Sequence, residues 1–204
     1  VMNLSNQMFD VIKGDLEVLE QGLQEAVTST NDLVTEVGMH IVTSGGKRIR
    51  PALCLLSARG GRAFDLPHVL PLAEALELIH TASLVHDDVI DEADTRRGAA
   101  TANARWNNQV AILSGDYIFA RAFTLIAEEG YDPYVSKRLA DLVCNLSVGE
   151  IIQDHAVYQA SRGMADYYER IQKKTADFLE ICCELGAMVG GMDREEMKKL
   201  AEYG

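Results

Sequence analysis

The chain has 204 residues, 48% of them hydrophobic, and a formal net charge of −12 at pH 7. Such length and apolar content exclude a disordered chain and allow one domain with a sizeable core. The acidic balance argues against nucleic acid as a partner, because binding a phosphate backbone needs a basic face. A few clustered cations can still serve a local anion site.

Proline is scarce, at 4 residues, and Ala/Leu/Glu-rich stretches dominate, so the chain reads as all-α. Residues 3–42 read as one or two amphipathic helices, broken at Thr43-Ser44-Gly45-Gly46. Pro51 suits the first turn of the next helix, through Ala58, and Arg59-Gly60-Gly61-Arg62 ends it. Pro67 and Pro71 mark the start of a helix that runs to Asp91, and Glu92 to Ala100 reads as a polar loop. A long helix is expected from Asn103 to Glu129, stopped by Gly130-Tyr131-Asp132-Pro133. Two more are expected over Tyr134–Gln159 and Ala165–Gly190, and Asp193–Gly204 opens another. No repeat, low-complexity tract or domain boundary stands out, so residues 1–204 read as a single domain.

Cys54, Cys144, Cys182 and Cys183 lack C-x-x-C spacing and sit in apolar helical runs. They read as reduced core cysteines of a cytoplasmic protein. The first residues, Val1-Met2-Asn3-Leu4-Ser5, show neither the basic nor the apolar region of a secretion signal. No apolar run reaches the length of a membrane span, so no transmembrane segment is expected.

The chemistry concentrates at His86-Asp87-Asp88-Val89-Ile90-Asp91, followed by Arg96-Arg97-Gly98. Leu72 to Val85, just ahead, is composed for burial. A buried helix does not end in clustered carboxylates without cations to offset them. Asp87 and Asp91 are four apart and share one helix face. They offer hard oxygen donors of the kind Mg²⁺ accepts beside water and substrate phosphate. His80 and Ser83 fall near the same stripe. A lone histidine on an apolar helix is usually a core residue, but one aligned with two carboxylates is better read as a ligand contact. Asp88 and Asp94 stand open between further ligands and solvated neighbours. Arg96 and Arg97 either pair with Glu92 and Asp94 on a loop or clamp phosphate oxygens through their bidentate forks.

Gly45-Gly46-Lys47-Arg48-Ile49-Arg50-Pro51 sets three cations just before a helix N-terminus. This is an anion site or a solvated basic loop, and the pattern alone divides the two evenly. Asp116, inside VAILSGDYIFARAF, needs a partner, and pairing with an arginine is as good a reading as catalysis. Glu150, Gln153 and Asp154 lie on neighbouring faces of one helix. Lys173 reads as solvated, while Lys174 with Thr175 is placed to reach a phosphate. One acidic and two basic clusters on an all-α shell point to diphosphate handling with Mg²⁺. No nucleophile motif competes.

At these residues the chain resembles the trans-polyprenyl diphosphate synthases, head-to-tail prenyltransferases of the isoprenoid synthase fold. GGKRIRP, IHTASLVHDDVIDEADTRRG, the GD of LSGDY, GEIIQD and the KT of KKTA stand in the family's order along essentially the whole chain. D-D-x-x-D with R-R-G is highly specific. The resemblance implies antiparallel helices around a central cavity and condensation of isopentenyl diphosphate with an allylic diphosphate. It implies that Asp87 and Asp91 hold Mg²⁺ on the allylic diphosphate, with Asp88 in support and Arg96 in contact. It assigns Lys47, Arg50, His80 and Arg97 to isopentenyl diphosphate, and Lys174, Thr175 and Gln153 to the allylic side. A homodimer through helix packing is expected, and the Val110–Ala127 stretch has the apolar face for it.

In this family the growing tail runs beside the acidic helix. Ala82 and Ser83 lie one turn before Asp87, about 6–7 Å along the axis at 1.5 Å per residue. Both are small, so they form no floor, and Ala75, Leu78 and Ile79 line the next turns. The expected product is therefore medium- or long-chain. The family also carries a second aspartate-rich motif on a later helix. This sequence has none, and it ends at Leu200-Ala201-Glu202-Tyr203-Gly204, near where that helix would begin. The expectation is the N-terminal two-thirds of a synthase, with little or no turnover at this length. A terpene cyclase would not need the second basic cluster. A non-catalytic subunit commonly loses the aspartates that are intact here. A helical scaffold with a metal-stabilised helix end would leave the basic clusters unexplained.

Overall fold

The computed structural model describes residues 9–156 and 172–204, with the side chains of 154–156, 173 and 174 outside that description. The elements are α1 Lys13–Ala26, α2 Asp32–Thr43, α3 Ile49–Arg59 and α4 Leu66–Ile90. A small ribbon of β1 Thr95–Arg96 and β2 Ala99–Ala100 follows. Then come α5 Ala102–Arg105, α6 Asn108–Glu129, α7 Pro133–Ala156, a π-helical turn Gln172–Ala176, α8 Asp177–Val189 and α9 Arg194–Tyr203.

The helix ends follow local chemistry. Asn31 caps α2 by accepting from the Leu33 and Val34 N–H groups. Asp193 and Glu196 form a reciprocal capping box on α9. Pro67 sits in the first turn of α4, as expected, but Pro71 lies inside the helix, where it removes one backbone bond near the start.

α4 is the axis of the fold. It packs along α6 and also touches α1, α3 and α8. Its Leu72, Leu76, Leu78 and Ile79 are fully buried beside Leu19, Leu23, Leu55, Ile118, Leu139, Leu142 and Phe178. Ala82 belongs to that same core. Truncating one such leucine to alanine costs about 2–5 kcal/mol in general, so this packing fixes where the end of α4 emerges.

Four expectations change. The stretch 92–100 is not wholly loop, because Thr95 pairs with Ala100 and Arg96 with Ala99 in an antiparallel ribbon. Its turn residues Arg97 and Gly98 both take positive φ, 52° and 82°, the signature of a type I′ hairpin. The helix expected from Asn103 is broken at Trp106. Asn107 starts α6 anew by accepting from Val110 N–H. Cys144 is exposed, whereas Cys54, Cys182 and Cys183 are buried. It lies on a solvent-facing position of α7, so its apolar sequence neighbours do not enclose it. Finally, α6 is long and apolar enough to cross a membrane by length and composition, with 28% of its most apolar stretch buried. Asp116 and Arg121 interrupt that stretch, which is why no uninterrupted span is read in the sequence. The ends of the helices expected over 3–42, 134–159 and 165–190 fall partly outside the described residues.

Candidate active site

The acidic end of α4 is built by backbone continuity. Asp91 N–H donates to Asp87 O at 2.8 Å, so the two aspartates stay one helical turn apart. Asp87 is half-buried and Asp91 exposed. Asp88 points elsewhere: it is 5% exposed and accepts from Arg96 Nε at 2.8 Å. Burial pushes the Asp88 carboxyl above the usual aspartate range, and the Arg96 hydrogen bond and charge work against that. Asp88 therefore aims Arg96. It does not sit on the face that Asp87 presents to the cavity.

The basic loop sorts its three cations by burial. Arg48 adopts a left-handed conformation, φ 48°, at the N-cap of α3. From there its guanidinium turns inward to Glu20 at 2.5 Å, Glu77 at 2.8 Å and Val42 O at 2.8 Å. Burial opposes the Arg48 charge, but Glu20 and Glu77 outweigh it and hold the group protonated. Arg48 is thus a strut. Lys47 is exposed.

Arg50 has a different setting. Its guanidinium lies over the Phe178 ring, 4.6 Å from the centroid, and its Nε is buried with no hydrogen-bond partner. Burial lowers its pKa, although it remains a cation, since arginine keeps its charge in proteins. A half-buried cation with an unused donor has the charge and the N–H to receive an anion.

His80 completes this side. Its ring meets Phe178 edge-on at 6.1 Å. Burial first, then Arg50 and Arg97, push its pKa down to about 3, so at neutral pH it is an uncharged imidazole. Arg97 reaches across from the hairpin and donates to Gly45 O. A Cβ on Gly46 would stand 2.6 Å from Arg97 Nη1, so the glycine admits that crossing. Gly46, Lys47, Arg48, Ile49, Arg50, Glu77, His80 and Arg97 line a cavity of about 480 Å³.

A second, apolar cavity of about 440 Å³ opens at Asp87. Ser83, His86, Ile90, Phe119, Val143 and Leu146 line it, with Ser147, Glu150 and Ile151. Between the two, a hollow of about 170 Å³ brings together Arg50, His80, Ser83, Asp87, Glu150, Thr175 and Phe178. Thr175 arrives there from the π-helical turn, the kind of irregularity that often marks functional helices. Gln153 Nε2 donates to Glu150 Oε1 at 3.2 Å.

The structure therefore brings Arg50, His80, Ser83, Asp87 and Thr175 to one hollow, with Lys47 and Arg97 on the adjoining cavity. Asp91 lies at the exposed helix end. Ala82 is in the core and lines none of these cavities. The side chains of Lys174 and Asp154 lie outside the described residues. Among the described residues Asp116 has no arginine partner. It is 62% exposed and stands 3.5 Å from His86 Nε2, and its exposure removes the need for a buried counter-charge. Gly115 before it makes room for the His86 ring, which a Cβ would meet at 2.3 Å. Arg96 and Arg97 pair with Asp88 and Gly45, not with Glu92 and Asp94. Glu77 and Phe178 went unremarked in the sequence. The available signal for Glu77 was a carboxylate one turn before His80 in an apolar helix.

Comparison with known proteins gives one consistent result. The family model for polyprenyl synthetase matches residues 31–204. Heptaprenyl diphosphate synthase component 2 of Geobacillus stearothermophilus is 42% identical over 197 residues, 97% of this chain and 61% of its own. Octaprenyl diphosphate synthase of Escherichia coli K12 is 36% identical over 203 residues, 100% of this chain and 62% of its own. Among solved structures, decaprenyl diphosphate synthase from Rhodobacter capsulatus superposes with a TM-score of 0.92 at 34% identity, covering 97% of this chain and 61% of that one. A polyprenyl synthase from Caulobacter crescentus, complexed with calcium and isoprenyl diphosphate, also gives 0.92, at 31% identity and over 97% and 60% of the two chains. The chain spans about three fifths of the length of these relatives.

Proposed function

The chain belongs to the polyprenyl synthetase family and has the all-α isoprenoid synthase fold, and on that footing we propose that it condenses isopentenyl diphosphate with an allylic diphosphate. The product is a medium- or long-chain all-trans polyprenyl diphosphate. The observation that carries the reading is Arg50, a half-buried cation whose Nε has no partner, beside the cavity that Lys47, His80 and Arg97 also line. This basic cavity and the carboxylate end of α4 make two distinct diphosphate stations. A terpene cyclase, which binds one diphosphate, has no use for the first.

Lys47, Arg50 and Arg97 supply the charge for isopentenyl diphosphate. His80, neutral at pH 7, supplies a hydrogen bond without adding repulsion. Arg96, held by Asp88, is assigned to the allylic diphosphate. Thr175 and Gln153 lie on that side, where Lys174 belongs by its place in the chain. Asp87 and Asp91 fit Mg²⁺: they are hard oxygen donors one turn apart, and this ion takes one or two carboxylates with waters and phosphate oxygens. When bound, Mg²⁺ neutralises the charge that develops on the departing diphosphate. The apolar cavity beside Asp87 excludes water from the allylic cation and receives the tail, and the small Ser83 leaves its entrance open. The double bond of isopentenyl diphosphate then attacks, and released diphosphate is the proposed base for the final proton.

The names of the similar proteins, heptaprenyl to decaprenyl diphosphate synthases, support the medium- or long-chain product. Calcium and isoprenyl diphosphate in the Caulobacter crescentus structure support a divalent-metal site in this fold. Ile112 and Leu113 on α6 are 43% and 59% exposed, which supports a homodimer through that helix. We place the protein in the cytoplasm and read residues 1–204 as one domain, the N-terminal part of the synthase fold.

Because the chain spans three fifths of its relatives, the deciding test is binding, not turnover. Isothermal titration of isopentenyl diphosphate into the 204-residue chain is expected to show saturable binding that Arg50→Ala removes. Absence of binding to the unmutated chain would sink the proposal.

A further inference from the structure

The hairpin that carries Arg96 and Arg97 is tethered from outside both cavities, and we propose that His40 is the positioning residue that sets it for diphosphate binding. The inference rests on the diphosphate reading given above. A ladder of two residue pairs does not hold its shape alone, so its tethers decide where the arginines stand. At the base, Ala93 O accepts from Thr101 Oγ1 at 2.7 Å and from Asn103 Nδ2 at 3.0 Å. At the tip, Arg97 donates to Gly45 O. On the returning strand, His40 Nε2 lies 2.8 Å from Ala100 O, in the residue pair next to Arg96.

The other ring nitrogen of His40 fixes its state. Nδ1 stands 3.2 Å from Arg105 Nη1. A carbonyl only accepts and a guanidinium only donates. Both contacts are therefore satisfied by one species, the neutral ring with its proton on Nε2. Arg105 is itself held: Nη2 donates to Glu36 Oε1 at 3.1 Å, and the guanidinium lies over the Trp106 ring at 4.6 Å. Trp106 also meets the His40 ring edge-on at 5.3 Å. A relay runs from Glu36 through Arg105 and His40 to Ala100 O. His40 lines neither the basic nor the apolar cavity. It lines a hollow of about 50 Å³ under the hairpin, together with Arg96, Arg97 and Asp88. Its effect on an anion must pass through the arginines it positions.

The test is titration of inorganic pyrophosphate into the 204-residue chain in EDTA, so that only protein cations bind it. His40→Phe keeps a ring against Trp106 but loses both hydrogen bonds. Its pyrophosphate affinity is expected to fall about tenfold, the worth of one to two hydrogen bonds, with the far-UV circular dichroism unchanged. His40→Gln, whose amide offers N–H to a carbonyl and an oxygen to a guanidinium, is expected to recover most of that loss. A purely structural histidine would give a lower melting temperature in both variants and equal affinity for the folded protein. If His40→Phe folds poorly, Arg105→Met removes the bond to Nδ1, together with Arg105's own contacts to Glu36 and Trp106, leaves the His40–Ala100 bond in place, and should still weaken binding about threefold. Tight binding by folded His40→Phe, or by Arg105→Met in its place, overturns the inference alone. No binding by the unmutated chain overturns the functional reading and the inference together.

Discussion

Arg96 Nε donates to Asp88 Oδ1 at 2.8 Å, across eight residues that leave α4, turn at Ala93 and enter the hairpin. The middle carboxylate of the D-D-x-x-D motif thus holds an arginine and points away from the face that carries Asp87. Asp88→Ala is expected to lower stability by about 1–2 kcal/mol, because Asp88 is buried but Arg96 is about one-third exposed and partly screened. A double-mutant cycle with Arg96→Ala, read by urea unfolding, should give a coupling of about 1 kcal/mol. Additive effects would mean that the pair does not act as a unit.

Arg50 and Arg48 lie two residues apart and should respond oppositely to removal. Arg50→Met deletes a cation whose Nε has no partner. Stability should hold or rise, while isopentenyl diphosphate affinity should drop about 10- to 100-fold, the worth of one or two charge-assisted bonds. Glu77→Ala takes the buried carboxylate from Arg48, which keeps Glu20 and Val42 O, and should cost about 1–3 kcal/mol. Thermal melts beside titrations separate the two classes.

Much of this arrangement was legible in the sequence. The apolar run that ends in aspartates announced α4, and the glycines and prolines marked most of its neighbours. Spacing placed His80, Ser83, Asp87 and Asp91 near one stripe; the structure brings the first three to one hollow and leaves Asp91 at the exposed helix end. The sorting of Lys47, Arg48 and Arg50 was not legible, because which one turns inward depends on a left-handed residue and on two glutamates from distant helices. The hairpin was hidden because arginine is not a usual residue for the positive φ that Arg97 adopts. The break at Trp106 carries no Gly or Pro to mark it; its one signal is Asn107, a residue type suited to capping the helix that follows.

Glu74 makes folding stability depend on pH. It is 6% exposed on α4, and burial first, then the charge of Glu25, push its pKa from an ordinary 4.5 up to about 7. A raised folded-state value means that the fold prefers the protonated form. Its contribution is whole below about pH 4.5 and is lost as pH rises through about 7. The loss is on the order of 2–3 kcal/mol. Urea midpoints at pH 5 and pH 8 should differ in that sense. Glu74→Gln should flatten the difference and raise the pH 8 value; an unchanged slope would refute the assignment.

Ser83 stands where the apolar cavity meets Asp87, with Phe119 and Leu146 also on the lining. A serine there leaves room for a tail, whereas Ala82, one residue earlier, is sealed in the core. Ser83→Phe should therefore block long tails and spare short ones, while Ala82→Phe should overpack the core and cost about 1–3 kcal/mol or more. The readout is affinity with Mg²⁺ present. Ser83→Phe is expected to bind dimethylallyl diphosphate as the unmutated chain does and farnesyl diphosphate at least tenfold more weakly, since several buried CH₂ groups at about 0.8 kcal/mol each lose their place. Equal losses for both ligands would place the effect at the diphosphate end and remove Ser83 from the control of tail length.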